Sequence, residues 1–225
     1  MTSAGTSAGS PPTTALSVVE RVVRSIAQTA VDNEAHFSEL DSVVGDGDFG
    51  FSLARGFEKV LAEFDGLDRS NAGVFLKRVA LIITSRCGGT SGPIWGTAFL
   101  RAAAAVGTRE TLVGSDVVEL LRAAFVGIQQ RGGAALGDKT LLDALGPFID
   151  CFEATLASPQ ASDLRIPLER AAETADRAAR ATAELVAKRG RAAYTGERSR
   201  GSVDPGATAL ALIARNLCVE FGASR

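Results

Sequence analysis

The chain has 225 residues, of which 46% are hydrophobic, enough for one well-buried core or at most two small ones. A formal net charge of −2 gives no global basic footprint and argues against a dedicated nucleic-acid binder; three widely spaced cysteines, Cys87, Cys151 and Cys218, indicate neither a disulfide framework nor a zinc site. This usage fits a reducing cytoplasm, and no apolar run approaches the roughly 18 residues needed to span a membrane.

Residues 1–12 are almost entirely Ser, Thr, Gly, Ala and Pro; without a basic start or an apolar centre they read as a disordered tail, not a signal peptide. Residues 13–225 read as one domain. Pro12 marks the first helix start, after which Leu16, Val19, Val23, Ile26 and Ala30 recur at steps of three and four; Asp32 marks the next. His36, the sole histidine, lies in this second helical stretch, where a surface or capping role suits it.

Asp41, Asp46 and Asp48 then put three carboxylates within eight positions, and the nearest base along the chain is Arg55. Two carboxylates about 4 Å apart repel by roughly 4 kcal/mol at an effective dielectric near 20, so a bound cation is the simplest compensation. An all-oxygen set suits a hard ion, and Mg²⁺ fits better than Ca²⁺: an EF-hand beginning at Asp46 would need Gly and Glu where Phe51 and Phe57 stand. Mg²⁺ commonly completes its shell with water and phosphates, so the three Asp could hold one or two ions against a nucleotide. A plain Gly-Asp turn explains the spacing equally well. A dinucleotide fingerprint through Gly45, Gly47 and Gly50 does not, because only Val43 and Val44 could extend a preceding strand and Asp46 and Asp48 would repel phosphate.

Ser70 marks a further start, with Phe75, Val79 and Ile82 in helical register. The segment Cys87-Gly-Gly-Thr-Ser-Gly-Pro93 interrupts it: its glycines expose amides, Thr90 and Ser91 add hydroxyls, and the next helix would turn its positive end toward an anion. A Ser-capped turn is the structural alternative. Ala-rich residues 101–105, a start at Ser115, and Val118, Leu121, Phe125 and Ile128 continue the helical pattern. In residues 132–141, Gly132, Gly137, Lys139 and Thr140 come within one residue of a Walker A loop, but Asp138 intervenes and the usual parallel sheet is absent. The structural alternative makes Asp138 the N-cap of a helix beginning Lys-Thr-Leu-Leu.

Asp163 and the Ala-rich residues 171–183 supply another helix. Lys188, Arg189, Arg191, Arg198 and Arg200 then form the most cationic stretch, which could close over polyphosphate or simply be solvated. Asp204-Pro205 puts a capping carboxylate directly before a Pro at the first helical position, and Leu210, Ile213 and Leu217 carry the last helix. No segment sustains a two-residue alternation, so the expected fold is all-α with about eight helices.

Taken in order, these segments resemble the nucleotide-binding L-subunit family of dihydroxyacetone kinases from about residue 13 to the C-terminus. The residues that carry the likeness are Leu40-Asp41 with Gly45-Asp46-Gly47-Asp48, Gly88-Gly89-Thr90-Ser91-Gly92-Pro93, Gly137-Asp138-Lys139-Thr140-Leu141-Leu142-Asp143-Ala144-Leu145, Gly190-Arg191-Ala192, Gly196-Glu197-Arg198-Ser199 and Asp204-Pro205-Gly206-Ala207-Thr208. The resemblance implies a barrel of eight antiparallel helices holding ADP or ATP at one end through two Mg²⁺ ions on Asp41, Asp46 and Asp48. It further implies phosphate contacts from the loop Phe49, Gly50, Phe51 and Ser52 and from Thr90 and Ser91. Gly132 and Leu141 would line the adenine side, with Arg191 and the turn Asp204, Pro205 and Gly206 closing the site.

Such a subunit supplies only the phosphoryl donor, its ketose being held covalently by a His on a separate K subunit. Phosphate is drawn either from free ATP or from bound ADP recharged by a phosphotransferase-system protein. The resemblance leaves that choice, the acceptor (dihydroxyacetone or a four-carbon analogue) and homodimerisation open. One departure stands out: the family motif reads Gly-Asp-Gly-Asp-His-Gly, whereas Phe49 occupies the His position here and cannot donate to phosphate. A nucleotide-sensing subunit without turnover is therefore the competing reading. The fatty-acid kinase relatives, with Pro-Asp-Gly-Asp-Thr-Gly and further domains, are more distant.

Overall fold

The computed structural model describes residues 14–158 and 163–222, so Pro12 and the expected tail lie outside the described residues. Nine α-helices are found among them: α1 (Ala15–Asp32), α2 (Glu34–Ser42), α3 (Phe49–Glu63), α4 (Ala72–Arg86), α5 (Ser91–Val106), α6 (Gly114–Gly132), α7 (Leu142–Leu156), α8 (Arg165–Ala181) and α9 (Pro205–Gly222). No strand occurs among the described residues, as the all-α expectation requires. None of the helices there is long and apolar enough to cross a membrane.

The helices start close to the marks read from sequence, for local chemical reasons. Thr14 accepts from the Ser17 amide while Ser17 Oγ accepts from the Thr14 amide, a reciprocal cap that opens α1. Asn71 rather than Ser70 caps α4, accepting from the Val74 amide at 2.9 Å. Asp204 caps α9 as expected, accepting from the Ala207 amide at 2.7 Å with Pro205 in the first helical position. Asp138 does not cap α7. That helix begins at Leu142, and Asp143 within its first turn takes the Gly137 and Thr140 amides instead.

Neighbour packing closes eight of the helices into a ring in the order α1, α3, α4, α5, α6, α7, α8, α9 and back to α1, with α2 lying outside against α3 and α9. Neighbours run antiparallel. On the closing seam Arg21 of α1 pairs with Glu220 of α9 at 2.9 Å, while further along Asn216 donates to Thr29 Oγ1 at 2.9 Å. Small residues let the axes approach: Ala171, Ala172, Ala175 and Ala179 of α8 face Ala207, Ala211 and Ala214 of α9 in one buried cluster. A second cluster, around Phe37, Phe57, Phe75, Trp95 and Phe99, fills the α1 to α5 side. The alternation of direction brings the N-termini of α3, α5, α7 and α9 to one end of the ring.

Candidate functional site

At that end lies a cleft of about 490 Å³, within the range of small-ligand sites. It is lined by the starts of all four helices: Phe49 of α3, Thr90, Ser91 and Pro93 at α5, Thr140 and Leu141 at α7, and Asp204 to Gly206 at α9. Each helix turns the positive end of its dipole toward the mouth of the cleft, which favours an anion there, although amides in the first turns of α3, α7 and α9 are taken up by Asp41, Thr140 and Asp204. The α5 start has no side-chain cap competing for its amides. Ile94, Trp95, Ile128 and Leu141 supply an apolar wall, with Gly132 leaving space beside Ile94.

Asp41, Asp46 and Asp48 each offer an oxygen within 4.8 Å of the others, a set suited to a hard cation. Local geometry holds them together. Gly45 donates its amide to the Asp41 carbonyl at 2.6 Å, and a Cβ there would collide with the Asp41 carboxylate. Gly47 adopts φ +75°, a left-handed conformation natural to glycine. The Phe49 amide, first of α3, donates to Asp41 Oδ2 at 3.3 Å, which ties the acidic set to the cleft wall. Arg191 completes the link: it lines the cleft, pairs with Asp46 and lies 3.3 Å from Asp48.

Of the residues expected from sequence to bind nucleotide, Phe49, Thr90, Ser91, Gly132, Leu141, Arg191, Asp204, Pro205 and Gly206 all line this one cleft. Gly50, Phe51 and Ser52 do not. The expected loop 49–52 is the first turn of α3: the Ser52 amide is used by the Asp48 carbonyl, the Phe51 amide by Ser38 Oγ, and Gly50 is buried against α2. Phe51 points outward, 52% exposed, beneath the Arg55 guanidinium. His36 is exposed on α2. The cleft also recruits Trp95, Ile128, Arg131, Lys139 and Arg189. Ile128 carries only a core-like helical signal in sequence, and Trp95 and Arg131 carry no distinguishing signal.

Burial pushes the Asp204 carboxyl up to about 7, with the nearby Asp143 charge adding to the effect and the Ala207 amide and Lys139 opposing it. Asp138 moves the other way, held below the usual carboxylate range chiefly by the Ala135 amide, assisted by Lys188 and Arg189. Cys87, which ends α4 buried against Gly56 of α3, has its thiol pushed up to about 12 by desolvation, which disfavours the nucleophilic thiolate.

A family profile described as the DAK2 domain matches residues 43–219. The ADP-binding subunit DhaL of the PEP-dependent dihydroxyacetone kinase of Escherichia coli strain K12 is 35% identical over 184 residues, 82% of this chain and 87% of that protein. The ADP-binding subunit DhaL of the PTS-dependent enzyme of Lactococcus lactis is 36% identical, over 83% of this chain and 88% of its own length. The crystal structure of the dihydroxyacetone kinase of C. freundii in complex with AMP-PNP and Mg²⁺ matches with a TM-score of 0.71 at 26% identity. That match covers 97% of this chain but 37% of the C. freundii chain. With the helical ring and cleft as its structural counterpart, the chain belongs to the DAK2 domain family.

Proposed function

We propose that this chain is the nucleotide-binding, phosphoryl-donor subunit of a short-chain ketose kinase of the dihydroxyacetone type. The observation that carries the reading is the convergence of four helix N-termini on a cleft flanked by Asp41, Asp46 and Asp48. A polyphosphate with its cations needs both halves of that arrangement. Relatives named as ADP-binding subunits, and a neighbour solved with AMP-PNP and Mg²⁺, support it.

In this reading Asp41, Asp46 and Asp48 hold one or two Mg²⁺ ions, which when bound neutralise charge on the β and γ phosphates. The chain's own residues bind and orient the rest. Thr90 and Ser91 donate to phosphate oxygens beside the α5 amides, and Ile94, Ile128, Gly132 and Leu141 enclose the base. Arg191 and the 204–206 turn close the mouth against water. No side chain in the cleft serves as nucleophile; the attacking hydroxyl belongs to dihydroxyacetone or a four-carbon analogue carried by a separate K-type subunit. The PEP- and PTS-dependent names of the relatives favour recharging of bound ADP by a phosphotransferase-system protein over exchange with free ATP. Such a subunit would work in the cytoplasm.

Calorimetric titration with ADP and ATP, with and without Mg²⁺, tests the reading, followed by ketose phosphorylation with a purified K-type subunit. Mg²⁺-dependent binding and turnover are expected; absence of binding with the partner present would overturn it. Binding without turnover would favour a nucleotide-sensing subunit, a second reading that rests on Phe49, whose ring gives the phosphates no donor.

A further inference from the structure

The cationic stretch of the chain is held at both of its legs by two consecutive residues of the α6–α7 connection. Lys139 is 3% exposed, and its Nζ donates to the carbonyls of Leu185, Ser199 and Ser202, at 3.2, 2.5 and 2.6 Å. An ammonium has three protons, and these three carbonyls match them one for one. Asp138 grips the first leg: its carbonyl accepts from the Lys188 amide at 3.0 Å, and its carboxylate lies 3.4 Å from Lys188 Nζ and 3.3 Å from Arg189. The legs are also stitched to each other, with the Ala187 amide donating to Ser199 Oγ at 2.8 Å. Between them the short helical segment Arg191–Ser199 projects as a strap whose first residue meets Asp46 and Asp48.

Lys139 adopts φ 62°, the one positive value at a non-glycine among the described residues, a conformation retained only where the surroundings fix it. Its burial draws the ammonium below the usual lysine range, so carbonyls rather than water solvate it. With every proton engaged, Lys139 has none left for a phosphate, despite the likeness to a Walker A lysine.

We propose that Lys139 is the positioning residue for closure of the nucleotide site: it anchors the 185–202 strap so that Arg191 reaches the acidic set, without itself meeting the nucleotide. This rests on the nucleotide reading above. The Lys139→Met variant removes the donors at similar length, and Lys139→Arg keeps them. In the nucleotide-free chain, trypsin should cut after Arg191 and Arg198 at least about tenfold faster in Lys139→Met than in wild type, because the strap then opens locally. Far-ultraviolet circular dichroism should be unchanged, and Mn²⁺ binding without nucleotide should be retained. MgADP should leave faster by a similar factor, and Lys139→Arg should restore much of both effects.

Cutting of Lys139→Met at the wild-type rate, or loss of Mn²⁺ binding with it, would overturn the assignment. If wild type binds no nucleotide, the functional reading fails while the proteolysis comparison still decides the anchor. If Lys139→Met does not fold, acetic anhydride labelling of wild type decides it. Lys188 should react and Lys139 stay unmodified until the strap is cut; equal labelling would overturn the proposal.

Discussion

Arg191 stands 3.3 Å from Asp48 while its other terminal nitrogen pairs with Asp46, so the guanidinium is a resident counterion for two of the three clustered carboxylates. A divalent ion entering the set must displace it or share with it. Arg191→Met should therefore bind Mn²⁺ alone more tightly, by about three- to tenfold for a solvent-accessible pair, while MgADP dissociates faster. Electron paramagnetic titration of Mn²⁺ and stopped-flow release of nucleotide check the two halves. Weaker Mn²⁺ binding in the variant would contradict the competition.

Asp46→Ala removes one member of the acidic set and leaves the ring untouched. Mg²⁺-dependent nucleotide affinity should fall at least about a hundredfold, and helix content should stay as in wild type. Retained tight binding in calorimetry would remove Asp46 from the metal set.

Phe49 leans on the buried Phe37 ring, with centroids 6.1 Å apart, and forms part of the cleft wall. Phe49→His exchanges apolar contact for a donor. Nucleotide should leave about tenfold more slowly through the added hydrogen bond, at a cost of about 1 kcal/mol in stability. An unchanged off-rate, measured by displacement of a fluorescent ADP analogue, would show that the missing donor is not what limits retention.

The Asp204 carboxyl, raised from 3.8 to about 7 by burial, makes stability depend on pH. Below pH 4 neither folded nor unfolded chain carries this charge. Between about 4 and 7 the unfolded chain gives up the proton and the folded chain keeps it, so this group lowers stability as pH rises through that window, then stays level. The full effect is on the order of 4 kcal/mol. Asp204→Asn keeps a capping acceptor and cannot titrate. Its urea midpoint should therefore fall less than that of wild type between pH 4.5 and 7; parallel curves would return the carboxyl to the ordinary range.

Helix positions are legible in the sequence because their signals are local. The period of Leu16, Val19 and Val23, and the Asp204-Pro205 pair, each act within a turn or two. The acidic set is legible for the same reason, lying within one short connection. Asp138 misleads because several side chains compete for the same amides, and Asp143, inside the helix, takes the Gly137 and Thr140 amides. The 49–52 segment, expected as a phosphate loop only through the family resemblance, is the first turn of α3, where Gly50 is needed for close approach to α2. The task of Lys139 is invisible because its partners lie 46, 60 and 63 residues away.

Closure of the ring through Arg21 and Glu220, 199 residues apart in sequence, sets an order of events during synthesis. Contacts that span almost the whole chain form late, because their loop entropy is met before they contribute. Until α9 has left the ribosome, α1 has one bare flank, and the last helix acts as a keystone. An α9 donated by a second copy fits that gap as well as the chain's own, so crowding of half-made chains favours exchange of this helix between molecules.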